Sequence, residues 1–252
     1  MSIQSFFRVF VLSTTLLVAS PLLAQELVMH AENPEALRLV QEALDNMGHD
    51  MGKFGDNVTQ AAQLDPSMLA ANFFEAMDPD KSKEESRVFI ERMQSYQGEM
   101  SPGEEILKEM SSHFDDEDYD FFSNLTKLGD AYPEDPRINI LVGTAYMYNQ
   151  APDKAIPYLS KAADQGGMLG AYNMLGYAHM SQGQFDKAEK FFEAYLEAAP
   201  GHENPYDSMG DLMMAQKEYA KAASYFEQAA TINPGQGIHA EKAAKARELM
   251  NE

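Results

Sequence analysis

Apolar residues recur along this chain at helical spacing, and in its second half the whole pattern repeats. Val142-Gly143, Tyr146, Ala155, Leu159, Ala162 and Gly167 form a first copy. Leu175-Gly176, His179, Ala188, Phe192, Tyr195 and Pro200 form a second, and Met209-Gly210, Met213, Ala222, Phe226, Ala229 and Pro234 a third. The glycines are 33 and 34 residues apart, and the alanines at 155, 188 and 222 keep the same steps. A helical face returning at that period predicts stacked helix pairs. Gly143, Gly176 and Gly210 let the helices of each pair approach closely, and Pro200 and Pro234 stop the second helix. The units fall at about 136–168, 169–201 and 203–235. A capping helix is expected over 236–252, with Ala243, Ala246 and Leu249/Met250 packed inward. Lys242, Lys245, Arg247 and Glu248 fill much of its other face.

The first half, 25–135, has the same helical spacing with less regularity. Ala36, Leu37, Val40, Leu44 and Met47 mark one helix, and Phe54 to Leu64 a second. Asp78-Pro79-Asp80 breaks a third that begins after Ser67, Ser82 opens a fourth and Pro102 a fifth. A sixth is expected near Tyr119–Leu128, and Asp153 is expected to cap the helix that carries Ala155. No Gly/Ser-rich linker divides the chain, which favours one continuous array. The alternative is a separate small helical domain ending near 100–116.

At the start, Arg8 precedes an apolar run from Val9 to Val18, then Pro21 and Leu22-Leu23-Ala24. This is the order of an export signal over 1–24, with cleavage after Ala24. A retained anchor is the alternative, but the run is short for a membrane-spanning helix. The mature chain is then exported, periplasmic or secreted, without a membrane span.

The repeating positions resemble the tetratricopeptide repeat (TPR). Tyr172 and Tyr206 supply its leading aromatic, followed by the Leu-Gly, small-Ala, large-apolar and closing-Pro positions given above. Asn139, His179, Met213, Tyr195 and Gly167 depart from it. The resemblance implies an all-α, TPR-like α-solenoid of antiparallel helix pairs in a right-handed superhelix. The divergent first half is read as TPR-like hairpins continuous with it.

Charge narrows the partners. With 19 Lys+Arg against 40 Asp+Glu the chain carries a formal charge of −21. Phosphate contact needs clustered Lys and Arg, so no nucleic-acid partner is expected. Eleven acids and two bases lie between Ser101 and Asp135, which would favour a basic partner. The absence of cysteine excludes disulfides, thiol catalysis and cysteine-held metals. The six histidines form no recognisable zinc or catalytic motif, and His179 sits at a packing position. Asp115–Asp120 lacks the oxygen spacing and central Gly of a calcium loop. No cofactor, metal or catalytic residue is expected.

The resemblance places the first helix of each pair along a concave groove. Tyr148, Asn173, Tyr177, Met180, Asn204, Asp207 and Asp211 are candidate lining residues that could hold a protein or peptide. The two asparagines can bond a peptide backbone, Tyr177 offers stacking area, and the aspartates would select a Lys, Arg or amine. Only Arg137 could serve a carboxylate clamp. The expected function is an exported, non-enzymatic scaffold or adaptor. Two alternatives stay open: a small-ligand receptor or enzyme built on the divergent half, and a self-associating structural subunit.

Overall fold

A computed structural model describes residues 26–116 and 119–250, so the export-signal region lies outside the described residues. Among the described residues there are thirteen helices and no strand. They are α1 (Pro34–Asn46), α2 (Met51–Leu64), α3 (Leu69–Ala76), α4 (Lys83–Ser95), α5 (Pro102–Ser112), α6 (Phe121–Ala131) and α7 (Pro136–Tyr148). The remainder are α8 (Pro152–Gly166), α9 (Leu169–Ser181), α10 (Phe185–Ala198), α11 (Glu203–Ala215), α12 (Tyr219–Ile232) and α13 (Gly237–Leu249). Each packs on its chain neighbour, giving an α-solenoid of antiparallel pairs in a right-handed superhelix.

Local chemistry sets the helix starts. Ser82 and Ser101 form capping boxes with Glu85 and Glu104, and Asp120 and Asp135 cap α6 and α7. Asp153 does not cap α8. The cap position is Ala151, and Asp153 lies in the first turn behind Pro152, where its Oδ1 accepts from Gln182 Nε2 at 2.6 Å. The sixth helix runs two to three residues later than its sequence pattern suggests, because Asp120 rather than an earlier acid caps it.

The repeat period has a direct packing cause. A Cβ placed on Gly143 would lie 2.6 Å from Leu159, on Gly176 2.3 Å from Phe192, and on Gly210 2.4 Å from Phe226. One large side chain of each second helix therefore seats on the bare backbone of the first. The turns repeat as well. The amides of Ala151, Gln184 and Glu218 donate to the carbonyls of Tyr146, His179 and Met213, five residues back each time. The turn's left-handed residue is Gln150 (φ 54°), Gly183 (φ 70°) or Lys217 (φ 62°). His179 is a buried member of this packing, stacked on Phe191 and bonded through Nδ1 to Gln184 Oε1 at 3.0 Å.

One core cluster runs from Met29 through α1–α8 to Leu175 of α9, and a second links α10 to α13. The segment before α1 is tied to the middle of the array. Leu27 N donates to Asp135 Oδ2 at 2.8 Å, Ser101 Oγ to Val28 O at 2.6 Å, and His30 N to buried Glu104 Oε1 at 2.7 Å. These bonds bring the first hairpin back against α7 and α9.

Candidate functional site

The inner helices α7, α9 and α11 run parallel, so equivalent residues form rows across the channel. Arg137, Gly170 and Asn204 hold the row nearest the helix N-termini; Ile140, Asn173 and Asp207 follow. Next come Thr144, Tyr177 and Asp211, then Met147, Met180 and Met214 in the last turns, with Tyr148 one residue beyond this register.

The first two rows are occupied by the chain itself. The turn between α1 and α2, Met47 to Asp50, lies across them. Arg137 grips Asp45 through two bonds, Nε to Oδ1 at 2.7 Å and Nη2 to Oδ2 at 3.2 Å. Asn173 Nδ2 donates to the Gly48 carbonyl at 2.8 Å, and Asn204 Nδ2 to the His49 carbonyl at 2.7 Å. Gly170 permits the approach, because a Cβ there would stand 1.8 Å from the Met47 oxygen. Gly48 takes a left-handed φ of 74° in the turn. His49 Nδ1 meets the Tyr195 hydroxyl at 2.5 Å, and its ring lies 4.3 Å from that of His202. Burial, reinforced by His202, lowers the His49 pKa to about 4.

A polar chain links the inner helices below this turn. Ser208 Oγ donates to Asn173 Oδ1 at 2.8 Å, and Tyr177 OH donates to Asp211 Oδ2 at 2.9 Å. Burial beside Asp211 pushes the Tyr177 phenol well above its ordinary pKa. Asp207 and Asp211 are bridged by Lys242 of α13, at 2.7 Å to each. Burial pulls on the Lys242 ammonium, yet its bonds to both carboxylates outweigh that and raise its pKa. His239 Nδ1 adds a bond to Asp207 Oδ1 at 2.9 Å. Both aspartates thus already face a cation of the same chain.

The structure brings Asn173, Tyr177, Asn204, Asp207 and Asp211 into this one network. Tyr148 stands apart, 73% exposed at the far end of α7, and Met180 and Met214 are half-buried in the corresponding turns of α9 and α11. Sequence reasoning missed Gly48, His49, Lys242 and His239 as members of the site. Among the described residues no group of three His, Cys, Asp or Glu side chains converges as a metal site, and no helix is long and apolar enough to cross a membrane.

Two stretches, 128–203 and 205–236, match models of the tetratricopeptide repeat. A search of curated proteins gave no match by sequence. Among solved structures the chain is similar to PilW, described as a widely conserved type IV pilus biogenesis factor, with 16% identity over 87% of each chain and a TM-score of 0.51. A structure of MamA aligns with 59% of this chain and 82% of its own, at 20% identity and TM-score 0.50. Cut9-Hcn1, a hetero-tetramer of APC/C, aligns with 84% of this chain and 44% of its own, at 13% identity and TM-score 0.53. At such identities these three likenesses speak for the fold alone. Repeat models, the packing of large side chains on Gly143, Gly176 and Gly210, and the solenoid agree: the chain carries tetratricopeptide repeats over 128–203 and 205–236.

Proposed function

We propose that this chain is an exported, non-enzymatic adaptor that holds a protein or peptide partner in its concave groove. One observation carries the reading: the groove amides already hold peptide carbonyls, Asn173 that of Gly48 and Asn204 that of His49. A surface that seats one turn of polypeptide through its backbone has the chemistry to seat another. The chain's own turn fills the N-terminal rows, so the partner docks along the far rows. Tyr148, Met180 and Met214 offer aromatic and thioether contact there, and such side chains adapt to varied apolar surfaces. The acidic surface favours a basic partner and speeds its approach at low salt.

Export rests on the 1–24 segment, with a mature chain beginning near Gln25. N-terminal sequencing of the protein from an envelope or extracellular fraction checks this point. For the groove, the double variant Tyr148→Ala/Met180→Ala is the test. It is expected to lose, by tenfold or more, the partner recovered with the wild type, while unfolding at nearly the same temperature. Unchanged recovery would move the binding site off the groove.

A further inference from the structure

Residues 27–33, before α1, form a non-helical strap across the array. Leu27, Met29 and Ala31 pack on the core, while Val28 between them is 57% exposed. Three buried carboxylates hold its backbone. Leu27 N donates to Asp135 Oδ2 and His30 N to Glu104 Oε1, and the amides of Glu32 and Asn33 donate to Asp65 Oδ2 at 2.6 and 3.1 Å. Two of the three turn their second oxygen to local work: Asp135 Oδ1 accepts from Arg137 N and Ile138 N, and Asp65 Oδ1 from the amide and hydroxyl of Ser67. Glu104 differs. Its Oε2 accepts from Ser101 N at 2.9 Å and also meets His30 Nδ1 at 2.6 Å. We infer that this contact makes the strap a pH-sensitive latch, closed on α5 while the His30 imidazole is charged and loosened when it is neutral.

Glu104 is fully buried, and among the described residues its ion pair is with His30. Lys108, one turn further along α5, donates instead to the Tyr96 carbonyl. A buried carboxylate that loses its counter-charge is destabilised, even where a neutral N–H still donates to it. The imidazole is 38% exposed, so its proton reaches water while Glu104 stays dry. The charged groups that act on the ring from the elements around it are Glu104 of α5 and Glu99 of the loop before it. The bond to Glu104 and the charge of that carboxylate raise the His30 pKa above the ordinary 6.5, against the opposing pull of burial, and Glu99 adds to the rise. The stabilisation from the charged ring is therefore full below pH 6.5 and is lost as pH rises through the raised value. Release draws Leu27 away from Gly103, where a Cβ would lie 2.2 Å from Leu27 Cδ1, and uncovers the Tyr132 ring beside it. The turn at the other end of the first hairpin has the opposite dependence, since its docking favours neutral His49. Alkali thus loosens the strap and acid loosens the turn.

The test is made on the full chain by NMR between about pH 6 and pH 8.5, a range that brackets the titration of an ordinary or moderately raised histidine. The His30 imidazole is titrated while amide protection factors, corrected for the intrinsic effect of pH on exchange, are measured for Leu27 and His30. His30→Arg keeps a cation at every pH, and His30→Gln keeps a donor without a charge. In the wild type both amides are expected to lose protection several-fold as the ring gives up its proton. His30→Arg should hold them protected throughout, and His30→Gln should stay at the high-pH level of the wild type. The Phe192 amide, in the buried part of α10, reports global opening and should not follow the strap. A flat wild-type profile overturns the latch without recourse to any variant. So does a pH dependence that survives in His30→Gln, or a loss of protection shared by Phe192, which would make the response global.

Discussion

Asn173 Nδ2 donates to the carbonyl of Gly48 at 2.8 Å, across 125 positions of sequence. That bond fastens the first hairpin of the chain to the central repeat. The same amide accepts from Ser208 Oγ through Oδ1, so one buried side chain joins α9, α11 and the α1–α2 turn. Asn173→Ala leaves the Gly48 carbonyl unpaired and the Ser208 hydroxyl without its acceptor in a dry place. We expect a loss of about 1–3 kcal/mol in urea unfolding, with faster amide exchange concentrated in 34–64. Exchange that quickens uniformly along the chain would mean the hairpin has no local attachment at this point.

The hairpin turns allow a backbone test free of packing. Gly183 has φ 70°, and nothing stands within 4 Å of a Cβ added there. Gly183→Ala should cost about 1–2 kcal/mol through the left-handed backbone alone. At the equivalent Lys217, φ is 62° with a side chain already present. Lys217→Gly should therefore be neutral or stabilise by up to about 1 kcal/mol. Thermal unfolding of the two variants, read side by side, checks the opposite signs.

Docking of the turn should depend on pH through His49. Burial and His202 lower its pKa from 6.5 to about 4 in the docked state, so docking favours the neutral ring. The stabilisation is full above pH 6.5 and declines as pH falls towards 4, below which no more is lost. His49 is only half-buried, so after solvent screening the effect is about 1–2 kcal/mol. His49→Gln should flatten the pH dependence of exchange in 34–64 between pH 6.5 and 4.5, relative to the wild type. An unchanged slope would assign the pH response to carboxylates elsewhere.

Lys242 holds Asp207 and Asp211 together, so removing its charge leaves two carboxylates facing each other. Lys242→Met should destabilise by about 2–3 kcal/mol and loosen α13. Adding Asp211→Asn removes one of the stranded charges while keeping an acceptor for Tyr177. The double variant should be more stable than Lys242→Met alone. A strictly additive loss in this cycle would show that the bridge carries no coupling.

Much of the fold was legible because each repeat reuses one contact. The steps of 33 and 34 residues correspond to Leu159, Phe192 and Phe226 seated on three glycines. The sequence holds a further period as well. Pro66, Pro133 and Pro200 are evenly spaced, and the residue six places after each returns a bond to its carbonyl: Asn72 and Asn139 at 3.0 Å, Tyr206 at 3.0 Å. Asn139 thus does by hydrogen bonding what an aromatic does elsewhere, and Asn72 extends that register into the divergent half.

The groove was legible as residue types and less so as partners. By residue type Asn173 and Asn204 are amides suited to a peptide backbone, and they do bond carbonyls, but those of Gly48 and His49. No local pattern ties positions so distant, because the superhelix creates the contact. Lys242 is different. Asn173 meets Ser208, and Asp207 meets Lys242, each across 35 positions, while Tyr177 meets Asp211 across 34. One repeat length therefore predicts which inner-helix residues touch, and it could have paired Lys242 with Asp207.

The central claim is that a partner lies in the concave channel beyond the docked turn. Site-specific photo-cross-linking in the native envelope tests it most directly. The photoreactive residue is placed at Tyr148 or Met180, the two positions proposed to meet the partner, and at Lys190 or Glu193 on the exposed face of outer helix α10. The expected result is one common adduct from the two channel positions and none from α10. Adducts from Lys190 and Glu193, with the channel positions silent, would contradict the claim and place the partner on the convex face.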